Sequence, residues 1–451
     1  MTTLTFYGGA EEIGGNKILL EDKGAKIYLD FGQSFDFGED FFYEYLTPRS
    51  ANGLEVYFEF NLIPKVPKLY SNDELKLTDI KYEKPDVDAI FISHSHSDHS
   101  GHLQFLDESI PVYMGHGTKQ ILDIYQKLYP ALAEYGEHNN LVTFKSGDKI
   151  KIKHLEITPI HVEHSIPGAY GYIIKTSKGN IVYTGDLRLH GPKKEYTEEF
   201  IAKAAAAKPI LMICEGTRMN YDVEHNFSEE EVNNKVDSII KSSKGTVFAY
   251  FSMSNVDRFN SIYKAAVANK RVMIIDTRLA YIMSNMKDKV DFPDPLTDPN
   301  IKVYFRIAKS CSFQDTDYYK WERDYCPKMI TYKEIKKDPK KYVMFLGFFK
   351  LMELVYIQPS NADFIYSMSE HFLEGEENEE QRVVLENWMK HFKINFHKAH
   401  CSGHATREDI KKIVSSIKPK MLIPVHTENA AAFKEFHDDV KIVKNGDKVK
   451  I

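Results

Sequence analysis

The sequence predicts an α/β protein of more than one domain, and three observations carry that prediction. Short apolar runs of strand length alternate with helical patterns along the chain. From about residue 217 the rhythm becomes strand, helix, strand, as in a parallel sheet with crossover helices. Metal-ligating residue types recur just after apolar runs, where strands of such sheets end and sites form.

Composition narrows the classes. The chain has 451 residues, enough for two or three domains at roughly 100–200 residues each. Hydrophobic residues at 43% and charged residues at 27% exclude disorder over most of the length. The net charge of −6 excludes a basic wrapper of nucleic acid. A polyanion would have to be held by a local patch or by bound metal. Cys214, Cys311, Cys326 and Cys401 are far apart and form no C-x-x-C pair, which argues against a thiolate zinc site and fits a reducing compartment. No signal peptide is visible, and no run reaches the ~18 apolar residues of a spanning helix. The expectation is a soluble, cytoplasmic protein without a membrane partner.

Taken in order, residues 4–7, 17–20 and 26–29 read as strands between glycine-containing turns. Residues 33–77 are aromatic, acidic and irregular, and serve as an interaction surface, as a rim of the active site or as a packing loop. The nearly continuous apolar run 87–92 reads as a buried strand. Further strands are expected at 151–159, 170–175, 180–183 and 209–214, with helices at 118–128 and 198–207. Beyond 217, helices are expected at 229–241, 255–268, 382–392 and 408–416, and strands at 245–251, 271–275, 395–398 and 421–424. The acidic run 374–380 reads as a surface boundary.

The strongest chemical signal is S-H-S-H-S-D-H, which places His94, His96, Asp98 and His99 directly after the strand at 87–92. Two imidazoles at i and i+2 in an extended segment can converge on one cation, and imidazole with carboxylate suits zinc. A surface histidine run is the competing account, but this cluster is internal and follows a buried strand. His164, Asp186, Glu215 and His426 each follow another apolar run. Singly, each is more simply a hydrogen-bonded structural residue. With the first cluster they compose a site.

These residues carry a resemblance. H-S-H-S-D-H, His164, the aspartate of G-D-L-R and a late histidine resemble the metallo-β-lactamase superfamily. The opening GGAEEIGGN, LDFG, H-S-I-P, SGHA and PVHTE are similar to its β-CASP nucleases, and within them to ribonuclease J. The resemblance implies an αββα sandwich with an inserted α/β β-CASP domain. Its boundaries would be 1–216 for the first part of the metallo-β-lactamase domain, 217–375 for the insertion and 376–451 for the returning part. It implies that His94, His96 and His164 hold one zinc, that Asp98, His99 and His426 hold another, and that Asp186 bridges them. Manganese can occupy such sites. Asp30 would orient a ligand histidine, or would simply end a strand. Asp98 and Asp186 would act in catalysis, His404 would stabilise or protonate the scissile phosphodiester, and Glu215 would position it. The histidine at 426 goes with RNA-processing members.

For phosphate binding the resemblance points to Ser254 and Arg258 at a helix start and to His400, Ser402, Gly403 and His404 in HCSGH. Ser254 could equally be an ordinary N-cap. The Gly-Ser-Gln-Gly-Glu stretch of ribonuclease J is replaced by LGFFKLM at 346–352, with Lys350 as a substitute charge or a surface lysine. Arg278 is either near the RNA path or a surface arginine, and Cys401 reads as a small filler. His102, His116, His138, His154, His161 and His190 take structural or surface roles. The chain ends early, like the short archaeal-type enzymes. The expected function is a two-metal 5′→3′ exoribonuclease with some endonuclease activity, acting on single-stranded RNA as a homodimer. The alternatives are a purely endonucleolytic enzyme, a hydrolase of small esters and a non-catalytic RNA-binding scaffold.

Overall fold

The computed structural model describes residues 2–35, 38–42, 46–49, 52–129, 134–136, 138–220, 228–286, 290–369 and 378–451. The chain divides into two units, Met1–Glu224 with Gly403–Ile451, and His225–Ser402.

The first unit begins with β1 (Thr2–Gly8), β2 (Lys17–Asp22), β3 (Ala25–Leu29), β4 (Ala89–Ile92), β5 (Val112–Gly115) and β6 (Leu141–Phe144). It continues with β7 (Ile150–Ile152), β8 (Leu155–His161), β9 (Tyr170–Lys175), β10 (Asn180–Tyr183) and β11 (Leu211–Glu215). The second unit carries β12 (Val247–Tyr250), β13 (Val272–Asp276), β14 (Ile301–Tyr304), β15 (Met329–Ile330), β16 (Tyr342–Phe345), β17 (Asp363–Tyr366) and β18 (Asn395–Lys398). The chain then returns to the first unit with β19 (Met421–Val425) and β20 (Lys448–Lys450).

Two sheets face each other in the first unit, in the orders β20-β1-β2-β3-β4-β5-β6 and β19-β11-β10-β9-β8-β7. Period-two alternation explains why both can be buried. In β4, Ala89 and Phe91 face the core between the sheets, while Ile90 and Ile92 face outward against a second apolar cluster. In β10, Ile181 and Tyr183 point into the same central core and Val182 points out. The outer face of the second sheet is covered by the helices Lys194–Ala206 and Arg407–Ile417 through Phe200, Ala204, Ile410, Ile413 and Ile417. The outer face of the first sheet is covered by His116–Leu128 and by the 33–77 excursion, through Leu54, Tyr57, Phe58, Leu69 and Tyr70. This is the expected αββα sandwich. The excursion is therefore mainly a packing layer, although Gln33 donates to the Ser97 carbonyl at 2.9 Å and so starts beside the histidine cluster.

The second unit is a parallel sheet ordered β15-β14-β13-β16-β12-β17-β18. Its domain limits differ from those expected. The helix Glu379–Phe392 contributes Leu385 and Met389 to this unit's core, and β18 pairs in register with β17. The inserted unit thus extends to Ser402, not to 375. The expected 375/376 boundary, like residues 374–377 of the acidic run, lies outside the described residues. The run expected as one strand at 151–159 is a hairpin, because Lys153 turns the chain with φ 53° between β7 and β8.

Candidate metal centre

Every expected ligand, and Glu215 with them, sits at the end of a strand or just after one. His94, His96, Asp98 and His99 follow β4, His164 follows β8, Asp186 follows β10, Glu215 ends β11 and His426 follows β19. Neighbouring parallel strands bring these ends to one edge: β10, β11 and β19 pair in order in one sheet, and β3 and β4 in the other. Two site residues sit in the left-handed region, Asp30 at φ 58° and His426 at φ 53°, a cost tolerated where a side chain must be aimed. The glycine-rich opening holds the backbone of the site. Gly9 O accepts from His426 N at 2.7 Å, and Asn16 N donates to Asp98 O at 3.2 Å. At Gly32 a Cβ would stand 1.8 Å from Asp98 O, so only glycine lets the two loops touch.

The ligand atoms fall into groups that could each hold a cation. His94, His96, His164 and Asp186 bring one ligand atom each to within 4.8 Å of one another, as do Asp98, His99, Asp186 and His426. In the first group His96 Nδ1 lies 3.0 Å from His94 Nε2 and 3.1 Å from His164 Nε2. In the second, Asp98 Oδ2 is 2.9 Å from His426 Nε2 and 3.4 Å from His99 Nε2. Asp186 Oδ2 serves both, at 3.6 Å from His94 Nε2 and 3.1 Å from His99 Nε2.

A divalent ion fits this set on two grounds. Both oxygens of Asp186 and Nε2 of His99 are buried without an aligned hydrogen bond, a costly condition that a cation would relieve. The protonation states also suit one. Burial holds His94 and His164 well below the usual histidine range and His96 down to about 4, so these rings are neutral. Burial would raise Asp98 and Asp186, but the surrounding histidines hold both well below the carboxylate range. His99 is the exception. Burial works to lower it, yet Asp186, Asp98 and Asp30 together hold it well above its ordinary value, so an ion bound here would have to displace a proton.

Asp30 reaches the ligand histidine that the resemblance would have it orient. Its Oδ2 is 2.8 Å from His99 Nδ1, while Ser93 gives it a backbone N–H at 2.6 Å and its hydroxyl at 2.9 Å. Asn16 Nδ2 donates to Tyr183 Oη at 2.9 Å, and that hydroxyl donates onward to Asp30. His164 Nδ1 is fixed by the Gly403 carbonyl at 2.7 Å. Gly403 is therefore a glycine for His164: a Cβ there would meet Ser165 Oγ at 2.6 Å.

Glu215 and His404 also come together. Glu215 Oε2 lies 3.3 Å from His404 Nδ1, and Oε1 accepts from Leu187 N at 3.0 Å. Burial would lower His404, but Glu215 and Asp186 raise it to about 8. Thr217 joins both to His426, at 2.8 Å from Glu215 Oε2, 3.0 Å from His404 Nδ1 and 2.8 Å from His426 Nδ1. Sequence reasoning missed Thr217, Ser93, Tyr183 and Asn16. The E-G-T spacing at 215–217 was the one available signal, since a strand tyrosine reads the same whether or not it serves a site.

The expected phosphate-binding residues fall in both units. Ser254, Arg258, His400 and Ser402 belong to the second unit, Gly403 and His404 to the first. Arg258 is fully buried, pairs with Glu229 at 2.9 Å and donates to the Ala399 carbonyl at 3.0 Å and to Ser367. It holds its own unit together instead of facing solvent. Asn255, not Ser254, caps the helix Val256–Ala268, and Ser254 Oγ is taken by Ser252 at 3.0 Å. His400 Nδ1 meets the Ser367 carbonyl at 3.1 Å. Lys350 pairs with Asp276, and buried Cys401 donates to Glu229 at 3.0 Å as a filler would.

Comparisons with known proteins agree with this chemistry. Residues 66–222 match the family model described as beta-lactamase superfamily domain, and residues 391–442 match that of the Zn-dependent metallo-hydrolase RNA specificity domain. Ribonuclease J of Mycoplasma pneumoniae (strain ATCC 29342 / M129 / Subtype 1) is 24% identical over 95% of this chain and 68% of its own length. Ribonuclease J of Mycoplasma genitalium (strain ATCC 33530 / DSM 19775 / NCTC 10195 / G37) is 24% identical over 99% and 73%. A crystal structure of a protein of unknown function from Enterococcus faecalis V583 shares the fold, with a TM-score of 0.78 at 23% identity and 99% coverage of each chain.

Proposed function

We propose that this chain, a metallo-β-lactamase-superfamily protein that is ribonuclease J-like over nearly its whole length, hydrolyses phosphodiester bonds of single-stranded RNA with a pair of zinc ions. The observation that carries the reading is the convergence of seven ligand residues beside the Glu215–Thr217–His404 group. His94, His96 and His164 would hold one ion, Asp98, His99 and His426 the other, with Asp186 within reach of both groups. Bound there, two divalent ions supply Lewis acidity that lowers the pKa of water and neutralises phosphate charge, which answers the acidic balance of the chain. Manganese can replace zinc.

The residues do the rest. Asp30 fixes the ring of His99, and Gly403 fixes that of His164. His404, which Glu215 and Asp186 hold above its ordinary value in the ion-free protein, is placed to stabilise the phosphate and protonate the leaving oxygen. Glu215 holds that ring in place. The proposal includes a homodimer acting in the cytoplasm. No helix of the described residues is long and apolar enough to cross a membrane.

Two modes of cutting divide the reading. The family likeness favours 5′→3′ exonuclease action with some internal cleavage. The burial of Arg258 and the Lys350–Asp276 pair favour purely internal cleavage, since both cations are committed within the protein. The test is one 3′-labelled RNA carrying either a 5′-monophosphate or a 5′-hydroxyl, with His96→Ala as the control. Mononucleotides from the monophosphate form alone establish the exonuclease, and equal internal cutting of both forms establishes the endonuclease. No cleavage by zinc-loaded protein overturns the ribonuclease reading.

A further inference from the structure

The atoms around Thr217 allow one consistent hydrogen-bond assignment. A hydroxyl has one proton to donate and two lone pairs with which to accept. Thr217 Oγ1 has three side-chain neighbours in range: Glu215 Oε2 at 2.8 Å, His426 Nδ1 at 2.8 Å and His404 Nδ1 at 3.0 Å. A carboxylate can only accept, so the hydroxyl proton goes to Glu215. Both lone pairs then face imidazole nitrogens, and each can be satisfied only if that nitrogen carries hydrogen. Glu215 is held for this purpose by the N–H groups of Leu187 at 3.0 Å and of Thr217 itself at 3.2 Å.

We infer that Thr217 is a positioning residue that sets the tautomers of two histidines at once, holding His404 and His426 with hydrogen on Nδ1 and leaving Nε2 as the working nitrogen of each. For His426 this is the nitrogen that faces Asp98 Oδ2 at 2.9 Å, so its lone pair is turned toward the second ligand group. For His404 it turns Nδ1 inward to Glu215 and Thr217 and assigns Nε2 to the substrate, and this part rests on the ribonuclease reading. The same tautomers bear on a competing assignment. Asp186, Glu215, His404 and His426 form a third group whose ligand atoms lie within 4.8 Å of one another. With hydrogen on both Nδ1 atoms and the Thr217 hydroxyl among them, this group is a hydrogen-bonded relay and not a third ion site.

The experiment reads the rings directly. Zinc-loaded protein labelled with ¹⁵N-histidine gives two-bond proton–nitrogen spectra, in which His404 and His426 are assigned by their loss in His404→Gln and His426→Gln. Recorded well above pH 8, where His404 has lost its second ring proton, both rings are expected to show the Nδ1–H pattern, and metal analysis is expected to give two zinc equivalents. Thr217→Val should scatter the His404 tautomers and lower kcat on RNA by about 10–100-fold with KM little changed, and Thr217→Ser should restore both. An Nε2–H pattern on either ring, a third zinc equivalent, or a Thr217→Val protein with unchanged spectra would overturn the inference. The spectra need no RNA. A wild type with the Nδ1–H pattern that cuts no RNA would sink the ribonuclease reading while upholding the tautomer assignment.

Discussion

Asp30 shows how much of the centre depends on atoms that never touch an ion. Its carboxylate meets His99 Nδ1 while Ser93 and Tyr183 satisfy its remaining lone pairs, so the ring of His99 has one orientation, with hydrogen on Nδ1. Asp30→Asn keeps the shape and removes the charge. Zinc affinity at the second group should fall by about 10–100-fold, measured by competition with a chromophoric chelator, and an unchanged affinity would refute the role. His404 makes a second prediction, about pH. Burial alone would lower it, but Glu215 and Asp186 raise it to about 8. The unfolded value is near 6.5, about the ordinary histidine figure. A raised folded pKa adds stability that is fully present below the unfolded value and lost as pH rises through the folded one. The urea midpoint of metal-free protein should therefore fall more steeply between about pH 6.5 and 8 in the wild type than in His404→Gln. Parallel curves would show that His404 carries no such charge.

At the scale of the element, the site depends on loops being tied to each other. The loop after β8 carries His164, the loop after β10 carries Asp186, and a buried ion pair joins them. Glu163 accepts from Arg188 Nε at 3.0 Å and Nη2 at 2.8 Å, and the Arg188 backbone N–H donates to Glu163 O at 2.8 Å. Arg188→Met leaves a buried carboxylate without its cation. That should cost about 3–5 kcal/mol in chemical denaturation, well beyond a surface substitution, and a loss within experimental error would mean the pair is replaceable. The same scale separates what the sequence could reveal from what it could not. The strand at 87–92 and the ligands after it were legible because an uninterrupted apolar run followed by a dense histidine cluster fits little besides a buried strand ending at a metal site. β16 and β17 were not, because YVMF and DFIY are four-residue runs too short to show a period, even with Asp338-Pro339 and Pro359-Ser360-Asn361 just before them. Arg258 was placed at a phosphate by the resemblance alone, since nothing local marks its partners. Its partners, Glu229, Ser367 and Ala399, are brought to it by the fold from positions up to 141 residues away.

Over the whole molecule, the chain leaves the first unit at Glu224 and re-enters it at Gly403. No local pattern marks where a chain rejoins an earlier sheet, which is why the return was placed too early. The helix after residue 378 and β18 look like either unit until pairing with β17 decides. The returning segment supplies His426, while His94 to His99, His164 and Asp186 all precede the insertion. An ion at the second group therefore cross-links residues 98 and 426 around the inserted unit. A clip closing so long a loop removes much freedom from the unfolded chain, while a ligand that binds only the folded state adds stability by mass action. At a thousandfold excess over its dissociation constant one such ion adds about 4 kcal/mol. Calorimetry with excess zinc and after chelation should show a large downward shift of Tm on metal removal. His426→Ala should shrink that shift, because one tie to the returning segment is cut. If chelated protein, confirmed metal-free, melts with the zinc-loaded form, then the segment after Gly403 is held by packing of β19 and Arg407–Ile417 alone, and the ions serve chemistry without serving the fold.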